Sequence, residues 1–428
     1  MKRFIIMTPT IYKAEGSQIY TWNKMRFLKE KGWDVYVLSS STNGIIMIND
    51  LSVFEKYIIP EISFYPYLYT RKKRKIVLNK LIQAIKAEQS AEYIIETHTK
   101  QLSLWGELLA SEIKGKNIVY LLNEDFGKPS KIVLDFLNYK HKRKELAGIT
   151  KKSLEILFQD FKIINENEQY FLKAACTNSV ENIENNIINN ISKLDINIGS
   201  LGRLGKSYVP VMIDEIIKYA KINSNKQIQL ILVGDSHDGK VEKEIIRKFQ
   251  LINNLYVIFI GHIFPIPIKL FDKLDVCIGV AGSAKLCANN NVPTITLDVR
   301  SSKPIGILGY DTQNTIYGDQ DQVYTLSEKL DDLIANYDYY KENINNMQVD
   351  LLDFRAEYRN HMKFINESDN RIDYYDLNVS INYINMEEIL FKFLIFLFGT
   401  ENFTKITKSN ILIKIRKKLR NKYSHEKY

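Results

Sequence analysis

Ile228 to Val233 is a nearly continuous apolar run that stops at Gly234-Asp235 and is followed by a helical pattern over Val241 to Phe249. A strand covered on both faces reads this way, and such strands belong to parallel sheets whose crossover helices lie on either side. The same unit recurs along the chain. Ile196 to Leu201 precedes a helical stretch over Met212 to Ala220, Leu255 to Ile260 ends at Gly261, Ile268 to Leu274 reads as a short helix, and Val276 to Val280 follows as another strand. Earlier, Phe4 to Thr8 leads into a helix through Tyr20, Trp22, Met25, Phe27 and Leu28 that Gly32 stops, and Val35 to Ser39 is the next strand. Tyr93 to Ile95, a helix over Leu102 to Leu109 and Ile118 to Leu122 repeat the pattern, while Ala174 to Thr177 reads as the last strand of this half. Asn178 to Asn190 is polar and Asn-rich, as a linker is. The expectation is an α/β protein with two open parallel-sheet domains, 1–190 and 191–345, facing a cleft. A C-terminal helical extension over 346–428 is expected to follow, with Leu330, Leu333 and Tyr337 on one face of the helix leading into it.

A chain of 428 residues has room for two such cores. Cys176, Cys277 and Cys287 are odd in number and widely spaced, which fits neither a disulfide framework nor a four-ligand zinc site and reads as buried thiols in a reducing compartment. Phe4 to Met7 before Thr8-Pro9 is too short for a signal-peptide core, and no apolar run approaches the roughly 18 residues of a spanning helix. A cytoplasmic protein that meets a membrane only at its surface is expected.

The order of features in the second half resembles the donor domain of the glycosyltransferase B superfamily, in particular its family 4-like members. Gly202-Arg203-Leu204 with Lys206 follows one strand, and Leu232-Val233-Gly234-Asp235 closes the next. Phe259-Ile260-Gly261-His262 closes a third; Asp275 to Gly279 then runs through Gly282-Ser283 to Val292-Pro293. The resemblance covers Ile196 to Asp298 well and the first 40 residues loosely. It implies two Rossmann-like domains and transfer of a sugar from a nucleotide-sugar donor to a glycan or lipid-linked acceptor, as in surface polysaccharide synthesis. Where retaining members carry two glutamates eight positions apart, this chain has Ala281 and Leu286, and Lys206 sits closer to Arg203 than is usual. Retention or inversion is therefore not implied. A nucleotide-sugar epimerase on the same scaffold and a catalytically inactive, membrane-bound partner of a transferase are the alternatives.

Such a reaction needs cations against the departing diphosphate, and Arg203 and Lys206 supply a fork and a point charge. Gly282-Ser283 and Gly16-Ser17 each open a helix, where free N–H groups attract phosphate, although a plain cap reads the same way. Gly234, Asp235, His262 and Asp298 lie at strand ends, where nucleotides bind in α/β sheets and where turn residues also collect. His98, after the strand at Tyr93, and Glu124, after the strand at Ile118, are the candidates for the base at the acceptor hydroxyl. Asp319-Gln320-Asp321 has the look of a metal triplet but lies in a polar loop before a helix, and no essential metal is expected.

The net charge of +9 is unevenly spread. Arg71-Lys72-Lys73-Arg74-Lys75 follows the aromatic Phe64 to Tyr69, and the tail Lys414 to Lys427 sets cations among Ile411, Leu412, Ile415 and Leu419 at helical spacing. The apolar segment Ile389 to Phe398 lies between them in the chain. Together they point to an anionic membrane surface at the inner face of the cell membrane, with no nucleic acid as partner.

Overall fold

The computed structural model describes residues 2–12, 14–41, 46–48, 51, 57–122, 129–150, 154, 157–158, 171–176, 178–236, 239–318, 324–344, 354–368, 373–380 and 386–407. Two compact units emerge, Met1–Cys176 with Asp353–Tyr428, and Thr177–Leu352. The units therefore divide nearer 176 than 190, and the C-terminal helices expected as a separate extension group with the first unit.

In the first unit, β1 (Lys2–Thr8), α1 (Gly16–Glu30), β2 (Asp34–Ser39), α2 (Arg71–Ala84), β3 (Glu92–Thr97), α3 (Lys100–Ile113), β4 (Lys116–Leu121), α4 (Lys131–Lys142) and β5 (Leu146–Gly148) succeed one another. The strands form one parallel sheet in the order β2-β1-β3-β4-β5. Thr99 starts α3 by accepting the Leu102 N–H, and α3 ends at Lys114 in the left-handed region. Two single 3-10 turns, Pro60–Ser63 and Pro66–Leu68, precede α2, each with proline at a position where the missing N–H costs nothing.

The second unit contains β6 (Val180–Glu181), β7 (Ile196–Leu201), α5 (Tyr208–Ile222), β8 (Ile228–Val233), α6 (Lys240–Phe249), β9 (Leu255–Gly261), β10 (Ile266–Pro267), β11 (Val276–Gly279), α7 (Ala281–Asn289), β12 (Thr294–Leu297), β13 (Pro304–Ile307) and α8 (Leu326–Ala335). Its six-stranded sheet runs β13-β12-β11-β7-β8-β9, parallel except for the β12/β13 pair, and β6 pairs with β10. Alternate residues explain the continuous apolar runs. Leu230 and Leu232 join the core under α5, α6 and α8, whereas Ile231 and Val233 join the one containing Leu286 and Cys287. The capping box at Thr325 and Glu328 starts α8.

Then α9 (Phe354–Glu367) and α10 (Met386–Thr407) complete the first unit. Tyr358 on α9 donates to the carbonyls of Tyr20 and Ala175. Ala174 to Cys176, expected as a strand, is coil, and the last strand of this sheet is β5. One bridge joins Phe171 to Gly148 of β5, with the Leu172 N–H on the Gly148 carbonyl; beyond it the carbonyls of Leu172, Lys173 and Ala175 meet the side chains of Tyr120, His361, Tyr358 and Asn23 in place of a strand. Cys277 and Cys287 are buried thiols and Cys176 is half-buried.

Candidate functional site

Each sheet has one place where strand order reverses and the loops part, the crevice that α/β sheets use for ligands. In the second unit it lies between β7 and β11, in the first between β1 and β3.

After β7, Gly202 takes φ +140° and donates its N–H to Val233, and Leu204 donates to the Asp235 carbonyl. Gly234 at φ +137° donates to Gly261, so the loops closing β7, β8 and β9 are joined by their backbones. No other residue fits at 234, since a Cβ there would stand 2.0 Å from the Gly202 oxygen. Arg203 is exposed and Lys206 half-buried on this loop; Asp235 and His262 are half-buried at the neighbouring strand ends. After β11, α7 opens at Ala281, a non-glycine residue at φ +52°. Its N–H is bonded to Thr315, whereas a Cβ on the next residue, Gly282, would meet nothing within 4 Å, which leaves the start of the helix open to an anion. The side chain of Ser283 is turned back onto the Val280 carbonyl at 2.8 Å, so it neither caps the helix nor points out of it, and its backbone remains its contribution. Asp298 is a turn anchor. Its oxygens accept the N–H groups of Arg300, Ser301 and Gly318 and the Arg300 guanidinium, and although burial opposes this, the bonds hold the carboxyl down at about 2. That occupancy argues against a donor contact for Asp298. Leu286, near the place of a glutamate in retaining members of the family it resembles, is a core residue.

The first unit's switch point is made of side chains. Glu96 and His98 sit two apart on β3 and its end, hence on the same face, toward α1 and α9. Glu96 is fully buried and accepts from Lys24 at 2.6 Å, from the Tyr20 hydroxyl at 2.8 Å and from His98 Nε2 at 3.2 Å. Lys24 completes three contacts with the Tyr20 oxygen and His361 Nδ1, both at 3.1 Å. His361 Nε2 bonds the Lys173 carbonyl and must carry the proton, which leaves Nδ1 to accept from the lysine. Burial and then the Lys24 charge push the His361 ring down to about 3, so it is neutral. Burial raises Glu96, but Lys24 and His98 outweigh it and keep the carboxylate ionised.

His98 is left with a distinctive arrangement. Its Nε2–H is held by Glu96, burial pulls its pKa down against the pull of that carboxylate, and its Nδ1 has no partner among the described residues. Thr8 Oγ1, at the end of β1, and Gln18 Oε1, in the first turn of α1, are also buried and unpartnered there. Buried polar atoms without partners are uncommon, and these three gather at one switch point, where they offer two acceptors and a hydroxyl to a polar group. Gly16, exposed, and Ser17, half-buried, begin α1 beside them. The sequence singles out His98 but not Lys24, Glu96, Thr8 and Gln18, which the structure gathers around it; the signal in the sequence is a glutamate two residues before a histidine in an apolar strand.

Glu124, the Asp319 to Asp321 triplet and the tail Lys414 to Lys427 lie outside the described residues. Arg71 to Lys75 form the first turn of α2. No helix among the described residues is long and apolar enough to cross a membrane.

Solved structures with a similar architecture include a glycosyltransferase from Rickettsia africae, 12% identical over 86% of this chain and 99% of that one with a TM-score of 0.56. HepE from Anabaena, in complex with UDP and glucose, is 11% identical over 84% of this chain and 99% of that one, with a TM-score of 0.57. A TarM variant from S. aureus, in complex with fondaparinux, alpha-GlcNAc-glycerol and UDP, is 8% identical over 86% of this chain and 100% of that one, with a TM-score of 0.58. No protein-family model and no curated protein matches the sequence. The chain has the glycosyltransferase B fold, with two Rossmann-like open-sheet domains and C-terminal helices.

Proposed function

We propose that this protein is a glycosyltransferase that moves a sugar from a nucleotide donor to a glycan or lipid-linked acceptor in surface polysaccharide synthesis, working at the inner face of the cell membrane. The observation that carries this reading is the placement of Arg203, Lys206 and the open start of α7 at the switch point of a sheet with this fold. HepE and TarM hold UDP, so uridine diphosphate sugars are the first donors to try.

Arg203 and Lys206 oppose the charge that grows on the leaving diphosphate, a role in which no essential metal takes part. The free backbone N–H groups of Gly282 and Ser283 add hydrogen bonds to phosphate, and Gly234, Asp235 and His262 line the nucleotide side. His98 Nδ1 takes the proton of the acceptor hydroxyl, and Glu96 holds the ring in the tautomer that leaves Nδ1 basic. The bond from the anomeric carbon to the diphosphate breaks with its electron pair leaving on phosphate, and the bond to the acceptor oxygen forms. Gly16, Ser17, Thr8 and Gln18 offer polar groups to acceptor or sugar.

Turnover of a nucleotide-sugar panel by the purified protein with membrane acceptors tests the proposal, with Glu96→Gln expected to lower the rate by about 10²-fold or more. Absence of turnover from folded protein across the panel refutes it. A second reading, an inactive partner of a transferase, is favoured by the burial of Leu286 in the core, which leaves no glutamate there to contact a donor sugar. Under it, Arg203→Ala leaves biological function intact.

A further inference from the structure

The helix α10 carries an apolar face that nothing among the described residues covers. Ile389, Phe393, Phe396 and Leu397 are 49, 56, 72 and 53% exposed. At 100° per residue their spacing places all four within roughly a 100° arc. Ile395 and Glu388 lie on the packed side, Ile395 buried and Glu388 held by the Tyr67 hydroxyl at 2.8 Å, while Phe398, next to the non-helical Gly399, is 46% exposed outside this arc. This inverts the usual order, in which a helix turns its aromatic groups inward, and a contiguous row of exposed large apolar side chains marks an interaction surface.

The neighbourhood specifies the chemistry of what covers it. Tyr67 lies in the Pro66–Leu68 turn, against which α10 packs, and that turn leads within three residues into α2. Arg71, Lys72 and Lys75 are exposed at its start and make no ion pair among the described residues, while Lys73 and Lys80 face Glu61. Arg74 reaches back to Asn378, shortly before α10 in the chain. An apolar helix face beside unpaired cations matches a surface of acyl chains under anionic headgroups, whereas a second copy of this chain would bring the same cations together. The sequence after Thr407 adds Lys408, Lys414, Arg416, Lys417, Lys418, Arg420 and Lys422.

We infer that α10 lies in the plane of an anionic lipid surface with Phe393, Phe396, Ile389 and Leu397 inserted among the acyl chains and the start of α2 against the headgroups. This gives the membrane association in the functional reading a defined anchor and rests on that reading only for its location in the cell. It predicts that removing either half of the pair weakens binding.

The test is flotation of the full-length protein with vesicles of phosphatidylcholine, alone or mixed with phosphatidylglycerol, without nucleotide. Wild type should float with the mixed vesicles and far less with the neutral ones. Phe393→Glu with Phe396→Glu should lose about tenfold in affinity or more per phenylalanine, and Arg71→Glu with Lys72→Glu and Lys75→Glu about fivefold per charge. All five positions are exposed, and an unchanged unfolding midpoint verifies the fold of each variant. The inference is overturned if wild type does not float, or if the phenylalanine variants float as wild type does. It is overturned as well if wild type is a dimer that those variants convert to a monomer, since a second copy would then cover the face. A UDP-induced rise in melting temperature, measured on the same variants, separates this from the transferase reading. That reading fails if the rise is absent while flotation persists, and the anchor fails in the reverse case.

Discussion

The two switch points of this molecule are built from different materials. Between β7 and β11 the sheet offers backbone, with Gly202 and Gly234 tying the strand-end loops together, Gly282 leaving the start of α7 open and Arg203 exposed beside them. Between β1 and β3 it offers buried, ionisable side chains whose charges are set by one another, Lys24 to Glu96 and Glu96 to His98. A backbone cradle holds any diphosphate of the right length and is indifferent to pH, because amides do not titrate. A buried carboxylate with a histidine and a lysine fixes one tautomer and one proton position, at the cost of three ionisable groups removed from water. The first kind of site suits binding and the second suits proton transfer.

The sharpest way to break this contrast is Lys24→Met, which takes the lysine charge from the buried Glu96 carboxyl and leaves it only Tyr20 and His98 as partners. We expect a loss of about 3 to 5 kcal/mol in chemical denaturation. A small effect would mean the network relaxes or admits water, and the orientation of His98 would lose its physical basis. Gly234→Ala comes next, with about 2 to 3 kcal/mol expected from backbone strain at positive φ and the clash with Gly202, together with loss of the UDP-induced melting shift. Survival of that shift would show that the three joined loops can move apart and still bind.

Mild acidity probes the buried histidines of the first region. His361 titrates at about 3 in the folded protein against about 6.5 in an unfolded chain, so as pH falls the unfolded state takes up the proton first. This contribution is present above about pH 6.5 and is lost on acidification, amounting to about 2 kcal/mol by pH 5. His98, also lowered, adds to it in the same direction, whereas the depressed Glu96 withdraws its contribution only below the ordinary carboxylate range. The melting temperature should fall between pH 7 and pH 5, and His361→Asn should flatten that slope; an equal slope in the variant removes His361 from the explanation. The smallest effect on stability is expected in the second region. Arg203→Ala should change unfolding by less than about 0.5 kcal/mol because the side chain is exposed, yet weaken UDP about tenfold or more by removing a charge-assisted hydrogen bond. Comparable losses of stability from Arg203→Ala and Lys24→Met would erase the distinction between the two regions.

How much of this was legible follows from the same difference. The strands from Ile196 to Val233 were readable to the residue, because burial on both faces writes itself as an apolar run. The glycine loops were readable in outline, since few other residues tolerate such turns. The reading of Ala174 to Thr177 as a strand misled because a short segment of small apolar residues looks the same whether a strand pairs with it or side chains from α1 and α9 donate to its carbonyls. β13 was not anticipated, since its proline and glycine argue against a strand and its place at the sheet edge is what permits them.

The sequence by itself therefore determined the two α/β units, the strand-helix repeats that frame their switch points and the cationic loop after β7, all of which are local properties of period, turn chemistry and charge. Only the tertiary structure decided that Lys24, Glu96 and His361, separated by up to 337 positions, form one buried network behind His98. It likewise decided that the aromatic side of α10 faces outward beside Arg71. Both depend on which faces of distant elements meet, and a single chain's local pattern carries no term for that.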